Sequence, residues 1–263
     1  MGGWVEGDPV GDRAFLDLPT PFRPERGGLL PSVRVSYETW GTLDRNGANA
    51  VLVEHALTGD SHVVGPAGPG HPTAGWWAGL VGPGRPVDTD RFFVVCANVL
   101  GGCQGTTGPS SSAVDGRRWG SRFPEVTVGD QVRVEAALAD VLGIGPWACV
   151  VGGSMGGMRA LEWAVARPER VERLFFLASG AAATADQIGT QTTQQAAIRT
   201  DPRWAGGNYD LTDPPVDGLG IARRIAHLTY RSAFELGERF GGVVQEDGRF
   251  AVASYLEHHA DKL

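Results

Sequence analysis

Gly152-Gly153-Ser154-Met155-Gly156 is the part of this chain whose residue types and spacing could most directly do chemistry. The pattern G-x-S-x-G puts a serine on a tight turn between a strand and a helix, with its hydroxyl clear of both at the top of a sheet. Glycines two before and two after it let backbone pass where a Cβ would clash. Glycine fills 39 of 263 positions, so the pattern alone is weak evidence. Its context makes it specific. Trp147-Ala148-Cys149-Val150-Val151 reads as a buried strand leading in, and residues 158–165 read as a helix leading out. The chemistry of such a turn is acyl transfer, with Ser154 as nucleophile and backbone N–H groups stabilising a tetrahedral oxyanion. Met155, directly after the nucleophile, supplies one donor. The second should come from the loop after an early central strand. His55-Ala56-Leu57-Thr58-Gly59-Asp60 follows residues 50–53 and offers the Leu57 N–H; the alternative is a plain strand-end turn.

The elements that must position these groups follow from periodicity. Residues 50–53, 92–95, 147–151 and 174–177 are short apolar runs that suit parallel strands buried on both faces. Residues 33–39 alternate Val33, Val35, Tyr37 with Arg34, Ser36, Glu38, as a half-exposed strand at an antiparallel edge does. Thr127 and Asp130 form a capping box that opens a helix, with Val134, Leu138 and Val141 on one face and Gly143 closing it. Alternating strand and helix predicts an α/β fold built on a doubly wound, mostly parallel sheet. From about residue 181 the pattern turns helical. A polar helix starts at Thr184-Ala185-Asp186-Gln187 and stops near Asp201-Pro202, and others cover 217–230 and 250–259. Ser232 to Glu235 reads as a second capping box, and after Leu177 only Val243-Val244 is ambiguous as strand. The expected organisation is a core over residues 1–180 and a helical lid over 181–263.

Composition excludes several classes. A net charge of −7 with no basic run argues against nucleic acid. The longest apolar run, residues 92–100, contains Asn98 and is far too short to span a bilayer. The first residues show no basic segment followed by an apolar one, and Glu6 stands where a myristoylation signal wants Ser or Thr. Cys96, Cys103 and Cys149 lack any C-x-x-C spacing, so neither a disulfide framework nor a zinc site is expected. The glycine-rich loops at 65–70 and 101–108 lack the framing of a dinucleotide fingerprint and the lysine of a phosphate loop. The expectation is a cytoplasmic protein without metal or resident cofactor.

Six motifs in order carry a more specific reading: His55-Ala-Leu-Thr-Gly, Gly75-Trp-Trp, Asn98-Val-Leu-Gly-Gly-Cys, Thr107-Gly-Pro-Ser-Ser, Gly152-Gly-Ser-Met-Gly-Gly and Ala185-Asp-Gln-Ile-Gly-Thr-Gln. Together they resemble the homoserine O-acetyltransferase family, from about residue 30 to the last residue. The resemblance implies an α/β-hydrolase fold with a helical lid and a homodimer formed through that lid. It also implies acetyl transfer from acetyl-CoA to the hydroxyl of L-homoserine, in methionine synthesis. It assigns Ser154 as nucleophile, Leu57 and Met155 as oxyanion donors, and Arg223 as the residue that holds the substrate carboxylate. The neighbouring Arg224 points about 100° away around the helix. One departure stands out. The family's Asp and His triad partners lie beyond the lid, and the six histidines here (His55, His62, His71, His227, His258, His259) all precede that region. The expectation is therefore a fragment that is inactive alone. A serine esterase, a homoserine or serine O-succinyltransferase, and a catalytically dead hydrolase-like binding module are the alternatives.

Overall fold

The computed structural model describes residues 3–262, as one compact unit over Gly3–Ala181 and a second that begins at Ala182. In the first unit the strands are Ala14–Asp17 (β1), Arg34–Trp40 (β2), Ala50–Glu54 (β3), Val81–Gly82 (β4), Val87–Asp88 (β5), Phe93–Ala97 (β6), Cys149–Gly153 (β7) and Leu174–Leu177 (β8). Six of them form one sheet in the order β1-β2-β6-β3-β7-β8, while β4 and β5 pair separately. The pairs β6–β3, β3–β7 and β7–β8 are parallel, and β1–β2 and β2–β6 are antiparallel. The mostly parallel α/β sheet expected from the sequence is present.

Because successive side chains of a strand point to opposite faces, the central strands divide their residues between two apolar clusters. Ala50, Leu52, Val95, Ala97 and Val150 join a cluster with helices Val128–Val141 (α1) and Met155–Ala166 (α2), through Val132, Leu138, Ala160 and Trp163. Val51, Val53, Val94, Cys96 and Val151 face the other way, onto Val63, Trp77, Leu80 and Val81. One face of this sheet is thus covered by α1 and α2, and the other by the largely irregular chain between β3 and β6.

Four expectations need correction. β2 is no edge strand, since β1 lies outside it, and both its faces are buried. Ser36 and Glu38, read as solvent-facing, are enclosed by polar partners from distant loops. β8 pairs only with β7, and its Phe175 is 58% exposed rather than buried. In α1, Val141 is 50% exposed, and the buried face runs through Val132, Glu135 and Ala139 beside Val134 and Leu138. The capping box itself forms, with Thr127 accepting from the Asp130 N–H and Asp130 from the Thr127 N–H.

The second unit consists of Ala185–Thr200 (α3), Val216–Thr229 (α4), Ala233–Phe240 (α5) and Ala251–Ala260 (α6), with a 3₁₀ stretch between α3 and α4. Thr184 and Gln187 cap α3 reciprocally, whereas Ser232 accepts from the Glu235 N–H without the return bond of a full box. Asp201 ties α3 to α4 by accepting from the Asp217 and Gly218 N–H groups at 3.1 and 3.0 Å. Val243 and Val244 are exposed, with a single bridge from Val244 to Phe250. Among the described residues no helix is long and apolar enough to cross a membrane.

Candidate active site

Ser154 stands between β7 and α2 with φ 56° and ψ −124°, one of three non-glycine residues at positive φ among those described. L-residues avoid this region, so the surrounding packing must hold the serine there. The glycines show how. A Cβ on Gly156 would lie 2.0 Å from the Glu54 carbonyl oxygen, and one on Gly152 would lie 2.2 Å from the Gly156 oxygen. The start of α2 therefore rests directly on the end of β3. Ser154 is exposed, and the first turn of α2 begins at Met155, where helical N–H groups have no intrahelical acceptor.

The loop after β3 is pinned at both ends and bare in the middle. The buried His55 accepts from the Val99 N–H through Nε2 at 3.2 Å and donates from Nδ1 to the Ala56 carbonyl at 2.8 Å. Burial, then the nearby Arg159 charge, lower its pKa to about 3, so the ring is neutral and its tautomer is set by these two bonds. At the far end the Ser61 N–H donates to Asn98 Oδ1 at 2.8 Å, and the Ser61 hydroxyl donates to Glu38 at 2.7 Å. Between them a turn closes with the Gly59 N–H donating to the Ala56 carbonyl at 2.9 Å. Leu57 is 66% exposed. Both proposed oxyanion donors, Leu57 and Met155, thus sit at the C-terminal end of adjacent strands, the position at which open α/β sheets bind ligands.

Two clusters escaped the sequence reading. Beneath the elbow, Arg159 is fully buried with Glu54, Glu135 and Trp163. Behind the loop, Asp12, Glu38, His62 and His71 bring one potential ligand atom each within 4.8 Å of one another. His62 and His71 stack with ring centroids 3.7 Å apart. His62 Nδ1 bonds Glu38 at 2.9 Å, and His71 Nε2 accepts from the Asp12 N–H at 2.9 Å. These partners lie 24 and 59 residues apart, so no local pattern announces them.

Arg223 lies on α4, half-buried, with its Nε buried and lacking a hydrogen-bond partner, while Arg224 is exposed. On the same helix His227 is buried against Tyr255 (Nδ1 to hydroxyl 3.0 Å) and stacks on His259. Burial, then the charges of His259, Arg223 and Arg231, lower the pKa of His227 to about 4.

A family model described as the alpha/beta hydrolase fold matches residues 49–255. The chain is 62% identical to a homoserine O-acetyltransferase of Thermobifida fusca (strain YX), over 100% of this chain and 71% of that protein. It is 58% identical to one of Clavibacter michiganensis, over 99% of this chain and 69% of the relative. The chain belongs to the homoserine O-acetyltransferase family. Among solved structures it is similar to homoserine O-acetyltransferase from Bacillus anthracis, with TM-score 0.85 and 28% identity over 95% of this chain and 70% of that one. Esterase E22 is as similar, with TM-score 0.84 and 28% identity over 95% of this chain and 72% of that one. The fold is thus shared between a transferase and an esterase.

Proposed function

We propose that Ser154 carries the acyl group in this family's reaction, the transfer of an acetyl group to the hydroxyl of homoserine in methionine synthesis. The observation that carries this reading is the exposed Ser154 held at positive φ between β7 and α2. With acetyl-CoA as donor, the Ser154 oxygen attacks the thioester carbonyl. The resulting oxyanion accepts from the Leu57 and Met155 N–H groups, and the CoA thiolate leaves as the carbonyl re-forms. The homoserine hydroxyl then attacks the acetyl-serine through a second tetrahedral intermediate and releases Ser154. A general base must take the serine proton and return it. His55 is not that base, because its nitrogens are engaged with Val99 and Ala56. Neither is His62, held by Glu38. The triad Asp and His are assigned to no residue of this chain.

Arg223 is the proposed clamp for the homoserine carboxylate. Guanidinium matches a carboxylate in a planar fork, and an unpaired carboxylate in a closed site would cost several kcal/mol. The unpartnered Arg223 Nε supports this assignment over the exposed Arg224. Residues 182–262 are the proposed lid, which would keep water from the acyl-enzyme and so favour transfer over hydrolysis. Self-association through this unit and a cytoplasmic location complete the reading.

Similarity to esterase E22 makes ester hydrolysis the competing reading. Thiol release from acetyl-CoA, followed with and without homoserine in the natural full-length protein, separates the two. Strong dependence on homoserine is expected, and Arg223→Ala should reduce it by a factor of roughly 30 to 1,000 while Arg224→Ala leaves it nearly unchanged. Equal release with and without homoserine would favour the esterase. Equal losses at both arginines would misplace the clamp.

A further inference from the structure

Arg159 joins the two chain segments that bear the proposed oxyanion donors. It lies one helical turn after Met155 on α2, is fully buried, and donates from NH2 to the His55 carbonyl at 2.8 Å. His55 stands two residues before Leu57. A long side chain on a helix leans back toward the N-terminus, which brings this guanidinium under the elbow. NH1 donates to Glu135 Oε1 at 2.6 Å and lies 2.8 Å from Glu54 Oε2, off the N–H axis, so the second contact is an ion pair without a well-aligned hydrogen bond. Trp163 Nε1 donates to the other Glu135 oxygen at 2.9 Å, fixing the carboxylate that fixes the arginine.

Burial, and the neighbouring Glu135 carboxylate, hold Glu54 well above the usual carboxylate range against the pull of Arg159. Arg159 thus sits between two buried carboxyl groups, 2.6 Å from Glu135 Oε1 and 2.8 Å from Glu54 Oε2. A buried guanidinium is weak evidence of stabilisation, since well-packed apolar residues often serve as well. What an apolar residue cannot do is hold a carbonyl at a set distance from a helix. The His55 ring is itself held by the Val99 N–H and the Ala56 carbonyl, so Arg159 grips the carbonyl of a residue already anchored, two positions before Leu57.

We propose that Arg159 is a positioning residue that sets the spacing of the two oxyanion donors, by tying the His55 carbonyl to the helix begun by Met155. The proposal rests on the acyl-serine reading above. It means that loss of the His55 contact weakens the transition state more than substrate binding, because the oxyanion exists only there.

The test uses Arg159→Lys in the natural full-length protein, which keeps the charge but cannot reach the Glu135 pair and the His55 carbonyl together. The double variant Arg159→Met/Glu135→Gln removes the guanidinium together with one of its carboxyl partners, and serves if the single variant does not fold. In folded protein, kcat for acetyl transfer should fall roughly 10- to 100-fold while KM for homoserine stays within about twofold. Affinity for an alkylboronic acid, which adds to a serine oxygen as a tetrahedral anion, should fall by a similar factor. A folded variant with kcat and boronate affinity within about twofold of the parent would overturn the proposal, as would a loss confined to KM. Full activity in Ser154→Ala would instead overturn the acyl-serine reading, so the two failures are distinguishable.

Discussion

The elbow at Ser154 and helix α5 use glycine in opposite ways. At the elbow, Gly152 and Gly156 sit where an added Cβ would come within 2.2 and 2.0 Å of backbone oxygens. In α5 of the helical unit, an added Cβ on Gly237 would meet nothing within 4 Å. The same contrast holds for charge. Arg159 is buried with two carboxyl groups in the first unit, whereas the Arg231–Glu235 and Arg249–Glu257 pairs of the second are substantially exposed. Close approach is not confined to the elbow, since a Cβ on Gly218 of α4 would lie 2.6 Å from the Ala197 carbonyl oxygen; what the elbow adds is a fully buried charged cluster beneath it. The helical unit, described by itself, joins α3 to α4 through the buried Asp201 and α4 to α6 through His227 and Tyr255.

The largest effect should come from filling the elbow. Gly156→Ala forces backbone apart at the β3–α2 contact, and a loss of more than about 4 kcal/mol is expected. Thermal unfolding should show a variant that is unfolded or nearly so at room temperature. A folded variant of parental stability would mean that the approach of α2 to Glu54 is looser than the geometry requires.

Next in size is a pH effect centred on His55, which faces Arg159 from α2 and the Val99 N–H, with Glu54 adjacent in the chain. Its pKa falls from about 6.5 unfolded to about 3 folded, so the neutral ring is favoured by folding. That contribution is complete above pH 6.5 and is lost as pH falls toward 3. Between pH 7 and pH 5 it amounts to about 2 kcal/mol. Urea midpoints at the two pH values should show the drop in the parent and a shallower one in His55→Gln. The opposing contribution of Glu54, whose raised pKa favours folding at low pH, cancels in this comparison. Parallel pH profiles would remove His55 from the account.

The smallest effect belongs to the helical unit. Gly237→Ala should stabilise the protein by up to about 1 kcal/mol, because alanine is the better helix former and has room. A clear loss of stability measured by denaturant unfolding would show that this face is packed against something.

What the sequence revealed follows the range of the interactions involved. The elbow, the Thr127 cap, the helix start at Thr184 and strands β3, β6 and β7 are local patterns, and they were legible. β1 was missed because Ala14–Asp17 has only four residues, two of them half-buried, and earns its place through pairing with β2. Ser36 and Glu38 were read as solvent-facing because alternation says nothing of Asn98, 62 residues away, or of Ser61 and His62, 23 and 24 residues away. Arg159 looked like any helix arginine, since its His55 partner lies 104 residues earlier. At the proposed site the strand–turn–helix geometry at Ser154 was legible from motif and context. The network that holds this turn was not, because it is made entirely of contacts between distant segments.

The central claim is that Ser154 carries the acetyl group, and intact-mass analysis of the natural full-length protein mixed with acetyl-CoA tests it most directly. One acetyl increment, mapped to the peptide containing Ser154, removed by adding homoserine and absent in Ser154→Ala, is the expected result. An increment that persists in Ser154→Ala, or homoserine-dependent turnover by that variant at the parental rate, would contradict it.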